Sequence, residues 1–159
     1  MEHKVSETSI QTLRFHLQNT HVCMDICYVD KIIPLLQLEP VPNCPLYLVG
    51  LMNMEEKIIP VIDLAMRVGI CRDEPYTLDT PILLCTYDTH QAGLIVDKVE
   101  GLIEFDKKNI QMHEEFNADT APFIGSITLN EELSLLLNMN YIFPLNINID
   151  FQKKRQVNG

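Results

Sequence analysis

Few residues in this chain have the type and spacing to do chemistry, and the first to consider are His16 and His21. They flank Gln18-Asn19-Thr20, a run of turn composition, so an antiparallel hairpin would let the two imidazoles meet. Two imidazoles are half of a transition-metal site. Nothing in the sequence supplies a carboxylate or cysteine to complete it, and solvated histidines are the reading the spacing favours. Cys23 and Cys27 stand four apart, which is not the C-x-x-C spacing of redox or zinc sites; on a strand both would point to one face and pack. Asp63 and Asp97 each follow an apolar run, as a catalytic carboxylate at a strand end would. A cap or turn role fits them better, since Asp63 precedes LAMRV and Gly69, the two ends of a short helix. The chain contains no G-x-S-x-G, P-loop, G-x-G-x-x-G or H-E-x-x-H motif.

The elements that would carry these residues are mostly strands. TLRFHL alternates, placing Leu13, Phe15 and Leu17 on one face, and His21 to Met24 return as its hairpin partner. Asp25 caps one helical turn, after which the chain runs extended to Pro34. Pro40, Pro42 and Pro45 punctuate a loop. LYLVG, 46–50, reads as a short helix stopped by Gly50. Leu51 to Met54 and Lys57 to Ile62 form a hairpin around Glu55-Glu56, and Pro60 predicts that its return strand lies at an edge or is bulged. Residues 70–81 are a polar linker. ILLCTY is apolar throughout, as a strand covered on both faces is; AGLIV, KVEGLIEF, FIGSITL and LSLLLN follow, separated by turns. Short helices and closely spaced turns suggest a mainly-β barrel or sandwich. No internal repeat is evident.

At 159 residues and 47% apolar composition the chain is most simply one domain with a real core. Its net charge of −10 repels phosphate backbones and anionic lipid, so neither nucleic acid nor a membrane surface is an expected partner. The start, MEHKVSETS, has no apolar signal-peptide core and no run approaches a membrane span, which points to the cytoplasm. Five cysteines, an odd number beside apolar segments, read as reduced thiols. A mainly-β domain without a reactive site works most often by docking.

The segment PVPNCPLYLVGLMNMEEKIIPVIDL resembles the signature of the CheW family, coupling proteins of bacterial chemosensory arrays: two prolines, a spacer, G-x-x-N-L-R-G, then a proline and V-x-D-L. Pro42, Pro45, Gly50, Asn53, Pro60, Val61, Asp63 and Leu64 stand at the matching positions. TLRFHLQNTHVCMDICYVDKII, AGLIVDKVEGLIEF and FIGSITLNEELSLLLN are similar to other family segments in the same order, over roughly residues 10 to 142.

The resemblance implies two small five-stranded SH3-like β-barrels packed together, with short helices. The expected division is a disordered segment 1–9, a domain over 10–144 and a tail 145–159. The first barrel would span about 12–68 plus closing strands, the second about 81–128. The resemblance also implies no catalytic activity and no cofactor or metal. Partners would be the regulatory domain of a CheA-type histidine kinase and the cytoplasmic tip of a methyl-accepting chemoreceptor, whose helices would lie in a groove between the barrels. A pilus or second-messenger pathway, or a diverged member with altered partners, is the alternative. In this reading Ile26, Val29 and Ile32 line the first barrel and its contact edge. Asn53, Met54, Glu55 and Glu56 form a hairpin tip facing a partner, with a merely solvated turn as the alternative, and Val96 and Val99 border the receptor groove or belong to a core strand. Pro60, Val61 and Leu64 are packing residues.

Two departures stand out. The family's N-L-R-G turn is N-M-E-E here, so Glu55 replaces an arginine and Glu56 a glycine. Lys31 stands where family members usually carry glutamate. Together these suggest one reversed ion pair, Lys31 with Glu55. Glu56 must also accept a left-handed backbone or sit in a different turn. At the other end, the early Pro144 predicts a shortened terminal helix after Asn138.

Overall fold

The computed structural model describes residues 8–113, 115–116, 120–143 and 145. The expectations for an unstructured start and for the tail fall almost wholly outside them. Among the described residues ten strands form: β1 Ser9–Leu17, β2 Thr20–Asp25, β3 Val29–Pro34, β4 Leu48–Met54, β5 Lys57–Asp63, β6 Pro81–Tyr87, β7 His90–Ile95, β8 Lys98–Asp106, β9 Phe123–Leu129 and β10 Glu132–Leu137. Two one-turn helices, α1 Leu64–Arg67 and α2 Met139–Ile142, follow β5 and β10. Asp63 caps α1 by accepting from the Met66 N–H, and Asn138 caps α2 by accepting from the Asn140 N–H. Gly69 takes a φ of +87° just past α1, as the sequence leads one to expect. Asp25 caps a 3-10 turn over Ile26–Tyr28.

The strands form two five-stranded sheets, ordered β8-β1-β2-β10-β9 and β3-β6-β7-β5-β4. The second sheet takes every strand from Val29 to Ile95, while the first draws on both ends of the chain. The cause is pairing between distant segments: β10 runs parallel to β2, with Leu135 opposite Val22, and so ties the last strand to the first hairpin.

A repeat hidden in the sequence appears in the topology. The hairpins β4–β5 and β9–β10 share their register, with Gly50 opposite Val61 and Gly125 opposite Leu136, and each carries a bulge at the same place. Both glycines exist for close backbone approach. A Cβ on Gly50 would lie 2.8 Å from the Glu39 carbonyl oxygen, and one on Gly125 2.7 Å from that of Gln111. Gly50 is therefore a strand residue, and LYLVG is not helical.

Pro60 is not at an edge, because β5 lies between β4 and β7; it sits beside the bulge of the β4–β5 hairpin. It is tolerated there because the facing Leu51 turns both its N–H and its C=O to Glu39, at 2.8 and 2.9 Å. The parallel pairing with β7 begins only at Val61, so no ladder bond asks Pro60 for a donor.

Alternate residues along the strands face two different cores. Leu13, Phe15, Leu17, Val22, Met24, Ile62, Leu83, Cys85, Leu94 and Leu137, from both sheets, form the seam that joins them. Met52, Ile59, Val61, Ile82, Leu84 and Ile95 fill a smaller core inside the second sheet; Cys23, Phe105, Ile127 and Leu136 do the same in the first. This is why ILLCTY is apolar throughout: Leu83 and Cys85 face the seam, Ile82 and Leu84 the inner core.

Candidate docking surface

Glu55 and Glu56 form the two-residue turn between β4 and β5, and both have positive φ, +51° and +65°. That is the pattern of a type I′ turn, which matches the twist of a hairpin and normally recruits Asn-Gly. The equivalent turn, Asn130-Glu131, has φ values of +51° and +68°. Two adjacent glutamates thus hold a left-handed backbone at the tip, a local cost the hairpin accepts.

Lys31 lies on β3, the opposite edge of the same sheet, yet its Nζ sits 3.7 Å from Glu55 Oε1. The second sheet is therefore curled enough to bring its two edges together at this end. Both side chains are more than half exposed, so the pair contributes at most about 0.2–1 kcal/mol to stability. Its charges are nevertheless displayed to solvent. Asp30, Lys31, Met54, Glu55, Lys57, Ile59, Leu84, Thr86 and Gln91 line a shallow cleft of about 180 Å³ around it. Thr86 Oγ1 donates to Asp30 Oδ2 at 2.5 Å across the cleft wall.

The structure thus gathers Lys31, Met54 and Glu55 at one end of the second sheet, with exposed Asn53 and Glu56 beside them. Ile32 is 48% exposed on the β3 edge, available for contact and not lining an interior. Ile26 and Val29 are half-buried against the seam. Val96 takes the core-strand position: it is fully buried in the seam and presents nothing to a docking helix. It continues the apolar face of β7, and the chain turns outward only at Asp97. Val99 is half-buried against the same seam. Val61 and Leu64 are buried packing residues, and Pro60 is half-buried beside them.

The sequence reading missed the role of Arg72. Its Nε and Nη2 donate to Asp63 Oδ2 and Oδ1 at 2.5 and 3.2 Å, and its Nη1 donates to Asp97 Oδ1 at 2.6 Å. Tyr76 Oη donates to Asp63 Oδ2 at 2.5 Å, and the Gln18 N–H donates to Asp97 Oδ2 at 2.6 Å. Asp63 is fully buried. Burial works against the Arg72 charge, but the two carboxylates overcome it and hold its pKa above the ordinary value. Burial and then the bond to Asp63 push the Tyr76 phenol up. Asp63 and Asp97 are thus structural: they pin the linker 70–80 across the ends of β5 and β7 and the first hairpin turn. The one signal available was that Arg72 is the only basic residue in that acidic linker.

Paired sheets with accessible edges, a charged hairpin tip and a structural use for Asp63 and Asp97 define a β-scaffold of the docking kind. The CheW-like domain profile matches residues 11–145, so the chain belongs to the CheW-like domain family. It is similar to the chemotaxis protein CheW of Rhizobium meliloti, 23% identical over 136 residues that make up 84% of this chain and 87% of the relative. The chemotaxis protein CheW of Klebsiella aerogenes is 26% identical over 132 residues, 80% and 77% of the two chains. The crystal structure of the scaffolding protein TtCheW from Thermoanaerobacter tengcongensis superposes with a TM-score of 0.77 at 28% identity, covering 86% of this chain and 94% of that one. No helix among the described residues is long and apolar enough to cross a membrane.

Proposed function

We propose that this protein is a non-catalytic adaptor of a bacterial chemosensory array. It would hold the regulatory domain of a CheA-type histidine kinase beside the cytoplasmic tip of a methyl-accepting chemoreceptor. The observation that carries this reading is the family match across residues 11–145, together with the paired-sheet fold shared with a scaffolding protein. The work is done in the cytoplasm, at a receptor array reached through partners.

The cleft around Lys31 and Glu55 is the kinase-facing patch in this reading. A like-charge encounter across an interface rejects a partner, while the opposite sign steers one in. Because the pair runs basic-then-acidic, its cognate domain should carry the complementary reversal. Titration calorimetry with the host's kinase regulatory domain and a soluble receptor tip tests the reading. Saturable binding to both is expected. Lys31→Glu or Glu55→Arg alone should weaken the kinase contact about tenfold or more, while the melting temperature stays within about 2 °C. Absence of binding to either partner by the folded wild-type chain refutes the reading.

A further inference from the structure

The fold completes a constellation that was only half present in the sequence. His16 on β1 and His21 on β2 are cross-strand partners, their ring centroids 4.4 Å apart. Across the other side of β1, the register with β8 slips, pairing Phe15 with Val99 and Arg14 with Gly101. Glu100 is the residue left over by that bulge, and the bulge aims its carboxylate at the imidazoles. His16 Nε2 contacts Glu100 Oε1 directly, and His21 Nδ1 lies 3.3 Å from the same oxygen. His21 Nδ1 is shielded from solvent and makes no hydrogen bond among the described residues.

We propose that His16, His21 and Glu100 form a binding site for a divalent transition metal of the Zn²⁺ class, liganded through His16 Nε2, His21 Nδ1 and the Glu100 carboxylate. The three ligand atoms lie within 4.8 Å of one another. A tetrahedral ion with bonds of about 2.0–2.2 Å needs them roughly 3.3 Å apart, within reach of small rotamer adjustments. Two imidazoles and a carboxylate form a known three-ligand set for zinc, with the fourth position left to water or a partner group.

The surroundings suit a ligand set. Arg14, only 7% exposed, places Nε 3.0 Å from Glu100 Oε2, which anchors the carboxylate by one oxygen and leaves the other facing the histidines. Arg14 Nη2 is in turn held by Glu132 Oε2 at 2.8 Å. With neutral imidazoles, Glu100 and Glu132 outweigh Arg14, so the pocket carries a net negative charge that favours a dication.

The second sheet supplies an internal control. There Thr86 and Gln91 are cross-strand partners one step from the β6–β7 turn, and Asp30 is the residue left over by the β3 bulge. Thr86, Gln91 and Asp30 thus occupy the positions of His16, His21 and Glu100. The carboxylate is kept but both imidazoles are gone. Hydrogen bonding alone satisfies that copy, so imidazoles are not required for the corner to fold.

The test uses the full chain, freed of any affinity tag and stripped with chelator. Calorimetry with Zn²⁺ should find one equivalent bound, and Co²⁺ should give visible d–d bands without a near-ultraviolet thiolate band. Binding should weaken at least tenfold in Glu100→Gln. It should vanish in His16→Thr/His21→Gln, a variant that copies the second sheet and should therefore fold, as circular dichroism will verify. Imidazole resonances of His16 and His21, and not those of His90 or His113, should shift on adding Zn²⁺. No saturable binding, equal binding by the folded double variant, or a thiolate band overturns the proposal.

Discussion

Removing the Asp63 carboxylate is the sharpest perturbation the structure offers. In Asp63→Ala the Arg72 guanidinium loses the partner of its Nε and Nη2, Tyr76 loses its acceptor and α1 loses its cap. Deleting one partner of a buried ion pair costs about 3–5 kcal/mol. The lower end applies here, because Asp97 still holds Nη1 and is itself partly exposed. Loss of the cap adds about 1 kcal/mol, giving about 4 kcal/mol in all. For a chain of this size that is a fall of roughly 12 °C in melting temperature. Asp63→Asn keeps the cap and the shape while removing the charge, so it should cost about 2–3 kcal/mol. Urea unfolding followed by far-UV circular dichroism and by tyrosine fluorescence, the chain having no Trp, measures both. A double-mutant cycle of Asp63→Ala with Arg72→Met should return a coupling of about 2 kcal/mol. Losses below about 1 kcal/mol for Asp63→Ala, or no coupling to Arg72, would refute the assignment of the buried carboxylate as a structural anchor.

Three further outcomes are expected. Gly50→Ala and Gly125→Ala should each destabilise by about 1–3 kcal/mol in urea, because the new Cβ meets a backbone oxygen that cannot swing aside. Glu56→Gly should raise stability by about 1 kcal/mol, since glycine adopts the φ of +65° without cost; an unchanged or lower urea midpoint would count against the strained turn. The Cys27 thiol, although exposed, is pushed up to about 11 from an ordinary 9.0, by partial desolvation and then by Asp25. At pH 8 its alkylation by iodoacetamide should therefore run roughly a hundredfold slower than that of an ordinary thiol, and Asp25→Asn should recover part of the rate, read by mass spectrometry.

The strands, the turns and most of the caps were legible because each is written in a few consecutive residues. Alternation in TLRFHL, continuous apolarity in ILLCTY, and Asp25, Asp63 and Gly69 at helix ends all led to the elements observed. Two local readings failed for one reason. Gly50 and Pro60 look like a helix stop and an edge marker, but both answer to Glu39, a residue brought alongside Leu51 by a loop. The Lys31–Glu55 contact could be anticipated only through the family pattern, since nothing between the two residues says that the sheet curls.

By itself, then, the amino-acid order determined a β-rich chain of docking type, its family and the positions of its hairpins, because hydrophobic period and turn chemistry act over a few bonds. Tertiary structure alone decided which strands share a sheet, that Arg72 would clamp Asp63 and Asp97, and that Glu100 would reach His16 and His21. Apart from Arg72 and Asp63, those partners lie far apart along the chain, and they meet only because burying the seam between two sheets selects one register among many.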